Sequence, residues 1–127
     1  MPIPLRLTIV LFVLLLAGCG GSSSTTSQPS ATEPVLATLD VVRTGGFAAG
    51  RRELHLTPGD PTLAVVQDAL GVPLPPSSVA AGPPAPDAYV YAVTAVLSDG
   101  TTASWSFDES QIPDDMQKLH TWLGTRF

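Results

Sequence analysis

The chain has 127 residues, of which six are Lys or Arg and eleven are Asp or Glu, giving a formal net charge of −5. That length suits one compact domain. The acidic balance argues against nucleic acid, whose phosphates need basic residues, and against electrostatic adsorption to anionic lipid. Thirteen prolines and eleven glycines raise the loop content, yet 44% of the residues are apolar, enough to build a core. The single cysteine, Cys19, leaves the folded part with no disulfide even where export would permit one.

Residues 1–18 read as a leader. Arg6 supplies a positive start, and Ile9 to Ala17 form a short apolar run. A membrane-spanning helix needs about 20 apolar residues, and Gly18 to Ser24 end this run too early. Leu16-Ala17-Gly18-Cys19 resembles the lipobox of bacterial lipoprotein signal peptides. The resemblance implies thioether lipidation of Cys19, cleavage before it, and a lipid anchor in the bacterial cell membrane facing outside the cytoplasm. The alternative is an ordinary cleaved signal with an incidental cysteine. Cleavage removes Arg6, so five basic residues then face eleven acidic ones and the charge becomes −6. Residues 19–34 are the lipid-bearing cysteine and a Ser/Thr/Gly/Pro tether with no apolar periodicity. As a flexible chain it spans roughly 20 Å.

Residues 35–127 carry the folding signals. Val35 to Arg43 alternates, with Val35, Ala37, Leu39 and Val41 on the expected inner face. Thr44 to Gly50 is a glycine-rich turn around Phe47, and Arg51 to Thr57 completes a hairpin with Leu54 and Leu56 inward and Arg51, Glu53 and His55 outward. Asp60 is a good N-cap and Pro61 suits a first helical position. Leu63, Val66, Ala69 and Leu70 then form an apolar stripe that Gly71 stops. Val72 to Pro86 holds six prolines and reads as a long loop, either a binding loop or slack. Ala88 to Leu97, apolar on both faces, predicts a central strand. Asp99-Gly100 predicts a two-residue turn, and Thr101 to Phe107 a strand with Ala103, Trp105 and Phe107 inward. Pro113 begins a final helix with Asp114 and Asp115 in its first turn and a buried stripe of Met116, Leu119, Leu123 and Phe127. The order ββαββα predicts an α+β domain: a four-stranded antiparallel sheet with two helices packed on one face.

Chemistry-bearing patterns are sparse. The sequence has no HExxH, CxxC, GxSxG or phosphate loop. His55 and His120 read as surface residues, and Asp108-Glu109 and Asp114-Asp115 lack the alternation of a calcium loop. No nucleophile and acid–base pair can be assembled, so the chain reads as a binding protein that is not an enzyme, with no metal and no cofactor.

Arg43-Thr44-Gly45-Gly46-Phe47-Ala48-Ala49-Gly50-Arg51-Arg52 carries the most specific signal. It resembles the emfourin family, small proteinaceous inhibitors of protealysin, a thermolysin-like (M4) zinc metalloprotease. The likeness continues at Leu74-Pro75, Pro86 to Tyr91, Asp99-Gly100, Phe107-Asp108-Glu109 and Ile112-Pro113, and covers essentially Val35 to Phe127. Ala48-Ala49-Gly50 holds one more small residue than the family's usual Ala-Gly, and the proline-rich loop is expanded. The resemblance implies a protease partner, with Gly45, Gly46, Phe47 and Arg51 as contact candidates. Phe47 either enters an apolar pocket or folds back to seal the sheet edge. The alternative function is a non-inhibitory envelope lipoprotein acting as a structural or partner-binding module.

Overall fold

The computed structural model describes residues 31–127. The leader, Cys19 and the tether up to residue 30 lie outside the described residues. The elements are β1 (Leu36–Gly45), β2 (Gly50–Leu56), α1 (Thr62–Leu70), β3 (Ser78–Val79), β4 (Tyr89–Leu97), β5 (Thr102–Asp108), a 3₁₀ turn (Asp114–Met116) and α2 (Gln117–Leu123). Thr32–Phe127 forms one compact unit.

The α+β class stands, but the sheet has five strands, in the order β2-β1-β4-β5-β3, where four were expected. The pairing of its fifth strand, β3 with β5, is parallel, so the sheet is mixed. The extra strand lies inside the proline-rich loop and is two residues long, too short to show any alternation. Three hydrogen bonds lay this loop along β5: Trp105 Nε1 donates to the Pro76 carbonyl (3.0 Å), the Ser104 amide to Ser77 Oγ (2.9 Å), and the Ala80 amide to the Ser106 carbonyl (2.7 Å). The loop is therefore an edge cover for β5, protecting backbone that would otherwise be free to pair with another chain.

β4 is central, antiparallel to β1 on one side and to β5 on the other. Its odd-numbered residues, Tyr91, Val93, Ala95 and Leu97, point inward and are buried. They are flanked in register by Leu39 and Val41 of β1 and by Ala103, Trp105 and Phe107 of β5. Both helices cover this face: Leu63, Val66 and Leu70 of α1, with Met116, Leu119 and Leu123, join the same core cluster. A side chain of this kind contributes about 1.5–3 kcal/mol by complete burial. The other face carries no helix. Hence the outward apolar residues of β4 do not mean burial on both sides, and Ala92 is exposed.

Three local expectations shift. A β-bulge between Leu36 and Thr38 advances the alternation of β1 by one residue. Leu36 is buried in consequence, and Val35, expected inward, is 51% exposed. The β4–β5 connection has Leu97 bonded to Thr101 and Gly100 to Leu97, leaving Ser98, Asp99 and Gly100 as three loop residues. Only Gly100 is left-handed there (φ 87°), so this is a type I turn closed by a glycine bulge and not the two-residue turn expected. His120 is not a free surface residue: its ring packs edge-on to Tyr91, with centroids 5.3 Å apart. The start of α1 follows expectation in substance. Asp60 Oδ1 accepts the Thr62 amide (2.8 Å), Pro61 already has helical angles, and Gly71 (φ 81°) stops the helix.

Candidate functional site

Between β1 and β2 the register closes at Gly45 opposite Gly50, leaving Gly46, Phe47, Ala48 and Ala49 as the tip. The tip is tied by one hydrogen bond of its own, from the Ala49 amide to the Gly46 carbonyl (2.9 Å). Gly45 (φ 92°) and Gly46 (φ 74°) are both left-handed, where any side chain is strained. The space beside each is also occupied. A Cβ on Gly45 would lie 2.5 Å from the Ala88 carbonyl oxygen, and one on Gly46 would lie 2.6 Å from Cζ of the Tyr89 ring. The glycines thus let the tip lie flat on the start of β4, where the Gly46 amide also donates to the Ala88 carbonyl (3.3 Å).

Phe47 stands free of this support. It is 95% exposed, so it does not fold back to seal the sheet edge. Of the two expectations for this residue, the structure places its ring where a partner can reach it. Burying a ring of this size in a partner removes on the order of 150–250 Å² from water.

The four contact candidates do not behave alike. Gly46 and Phe47 lie in the tip itself, and Gly45 ends β1 at its base. Arg51 lies one step down β2, opposite Thr44, with its Nε and Nη2 on Glu53 Oε1 (2.7 and 2.6 Å). That exposed ion pair holds the arginine along the strand and adds little stability. A parallel pair, His55 Nδ1 with Asp40 Oδ1, sits farther along the same outward face.

Behind the tip lies a cluster that sequence reading did not assemble. Arg43 and Arg52 face each other across β1 and β2, an unfavourable like-charge pair unless something else engages them. Both guanidinium groups donate to the main-chain oxygen of Phe127, Arg43 Nη2 at 3.3 Å and Arg52 Nη1 at 3.0 Å. The Arg43 guanidinium also lies over two rings, 4.2 Å from the centroid of Tyr89 and 4.8 Å from that of Phe127. Phe127, expected in the buried stripe of the last helix, is partly buried and reaches this cluster. A hollow of ≈ 160 Å³ remains among Arg43, Gly45, Ala48, Gly50, Arg52 and Tyr89. The signal for this cluster lay in Arg43 and Arg52 flanking the glycine turn, but their partner is 84 and 75 residues away.

The opposite end of the sheet differs. Leu36 pairs with Leu97 and Gly45 with Tyr89, so the start of β1 and the β4–β5 turn share the end remote from Phe47. A groove of ≈ 500 Å³ opens there between Pro73–Pro76 and the Leu97–Ala103 hairpin. Its only titratable lining residues are Glu33 and Asp99. Asp99 is held below the usual carboxylate value by the hydrogen bonds it accepts from the Thr101 amide and hydroxyl. That is turn chemistry, with no second group to share a proton. Among the described residues, no group of three or more His, Cys, Asp or Glu is placed to hold a metal ion, and no helix is long and apolar enough to cross a membrane.

A two-layer α+β domain that covers one sheet face, leaves the other open and displays a single aromatic residue on a glycine-braced tip has the build of a protein that binds another protein. The chain belongs to the emfourin family, whose model matches residues 41–124, from the middle of β1 to just past α2. The family supplies the class, a protease-inhibitor domain. Neither a curated protein nor a solved structure is similar enough to match the chain.

Proposed function

We propose that this chain is a membrane-tethered proteinaceous inhibitor of a thermolysin-like (M4, protealysin-type) zinc metalloprotease, with Phe47 entering the apolar pocket beside the scissile position. The exposure of Phe47 on a glycine-braced hairpin carries the reading. A large apolar side chain in such a pocket supplies area, and a tip already held in shape loses little freedom on docking. The glycines and alanines around it allow the backbone to approach the cleft closely. Inhibition is steric: the described residues offer no set of zinc ligands, so the protease keeps its metal. Lipidation of Cys19 would hold the domain at the membrane surface.

The test is inhibition of thermolysin by the compact unit Thr32–Phe127, with trypsin as the control. Thermolysin should lose activity, trypsin should not, and excess zinc should not restore what is lost. Phe47→Ala should stay folded and bind more weakly by about 2 kcal/mol or more, the scale of a buried aromatic hot spot. A folded wild-type domain that fails against a panel of thermolysin-like proteases would leave the non-inhibitory, partner-binding lipoprotein as the reading. The anchor is tested separately: Cys19→Ala should move the protein from the membrane fraction to the soluble one.

A further inference from the structure

Phe47 projects from four loop residues, and a loop of that length is not rigid by itself. Its local hydrogen bond, Ala49 amide to Gly46 carbonyl, fixes the turn but not its angle to the sheet. Beyond that bond, Gly46 lies against the Tyr89 ring, so close that a Cβ on it would overlap the ring. Tyr89 is in turn covered by the Arg43 guanidinium at 4.2 Å, and Arg43 is engaged by Phe127 through both its ring (4.8 Å) and its main-chain oxygen (3.3 Å). Arg52 donates to that same oxygen from the neighbouring strand. These contacts form one continuous stack running from the tip to the last residue after α2. Phe127 is itself fixed at its far side: its amide donates to the Leu123 carbonyl (3.2 Å) and its ring lies against Tyr91.

We infer that Arg43 is a positioning residue for the Phe47 tip, held by Phe127, so that the C-terminal segment of the domain sets how firmly the tip is presented. The inference rests on the proposed inhibitory role for its consequence in affinity, but its structural half stands without it. Like charges at Arg43 and Arg52 would push the ends of β1 and β2 apart; a shared acceptor on Phe127 draws both guanidiniums to one point. Removing the ring and its support should loosen the tip without opening the core, because Phe127 lies outside the fully buried set of Leu119, Leu123 and Phe107. A loosened tip must be ordered again on docking, which costs affinity.

The experiment compares wild type, Phe127→Ala, Phe127→Tyr and Arg43→Leu in the full chain in detergent micelles. Hydrogen–deuterium exchange is read on the peptide covering residues 44–50, with β4 as the internal control. Phe127→Ala and Arg43→Leu should speed exchange at the tip about tenfold while β4 keeps its protection, and Phe127→Tyr should restore the wild-type rate. Unchanged tip exchange in both variants would overturn the inference, as would equal loss of protection at tip and β4, which would mean general destabilisation. Thermolysin inhibition by the same samples gives the second arm, with about tenfold weaker inhibition expected for Phe127→Ala. A loosened tip with undiminished inhibition would overturn the link to affinity. If wild type does not inhibit at all, the protease reading fails, while the exchange data still decide the positioning role.

Discussion

The β4–β5 and β1–β2 hairpins close opposite ends of one sheet, and they close in different ways. The β4–β5 turn needs one left-handed residue, Gly100, around which a Cβ would meet nothing within 4 Å. Its polar atoms are satisfied locally by Asp99, and the strands it joins bury Trp105 and Phe107. The β1–β2 turn, with Gly45 at its base, holds three left-handed residues, Gly45, Gly46 and Ala49, one of which is not glycine. It exposes its one large side chain and depends on Tyr89, Arg43 and Phe127 for support. Left-handed backbone at a residue other than glycine, here Ala49, costs on the order of 1–3 kcal/mol and persists only where the surroundings enforce it. One turn is closed by its own local bonds; the other carries a strained Ala49 and leaves Phe47 outside the core.

Aromatic truncation gives the sharpest contrast. Phe107→Ala, in a fully buried position of β5, should cost about 3–5 kcal/mol of stability, read by denaturant unfolding. Phe47→Ala should change stability by no more than about 0.5 kcal/mol, as for a surface position, and show its effect only in inhibition. If the two truncations destabilise equally, Phe47 is part of the core and the comparison between the hairpins collapses.

A smaller effect separates the glycines. Gly46→Val adds a branched side chain where φ is 74° and the Tyr89 ring already occupies the space. The strain alone is about 1–3 kcal/mol, and the overlap pushes the result to the upper end. Gly100→Ala meets only the left-handed penalty, about 1–2 kcal/mol. Equal thermal midpoints for these two variants would mean that Tyr89 moves freely and does not brace the tip.

The smallest expected effect is acid sensitivity. Asp60 is held below the ordinary carboxylate value by hydrogen bonds from the Thr62 hydroxyl and amide, and Asp99 by those from the Thr101 amide and hydroxyl. A carboxylate with a lowered folded value contributes its stability above the unfolded value and loses it as the pH falls through the folded one. The thermal midpoint should therefore decline below about pH 4, and Asp99→Ala should flatten part of that decline without altering inhibition at neutral pH. Superimposable pH profiles for wild type and variant would show that the turn bond contributes nothing.

Much of this architecture was legible because the signals were local. The alternation of β4 and β5, the Asp60-Pro61 start and Gly71 stop of α1, and the Met116-Leu119-Leu123 stripe each occupy one short window. What was missed needed distant partners. The bulge in β1 depends on its pairing with β4, and β3 exists only because the backbone and side chains of β5 hold it in place. The same limit applied to the site. Gly45, Gly46 and Phe47 stood out as a motif, whereas Tyr89, Arg43 and Phe127 meet only once the sheet and the last helix are in place. The orientation of Phe47, left open between two alternatives, is decided by its exposure in the folded domain.

The register of β1 has one more consequence. Its first residue lies beside the turn at one end of the sheet, and its last residue feeds the Phe47 tip at the other. Ten residues of strand span about 33 Å. On the sequence expectation of a lipid on Cys19 and a linker of roughly 20 Å, the aromatic ring would have a working radius on the order of 50 Å about an anchor that drifts in the bilayer plane. Within that radius, encounter with a co-anchored or surface-bound protease is governed by local concentration more than by bulk supply. Shortening the stretch between Cys19 and β1 would shrink that radius without touching a single contact of the Phe47 hairpin.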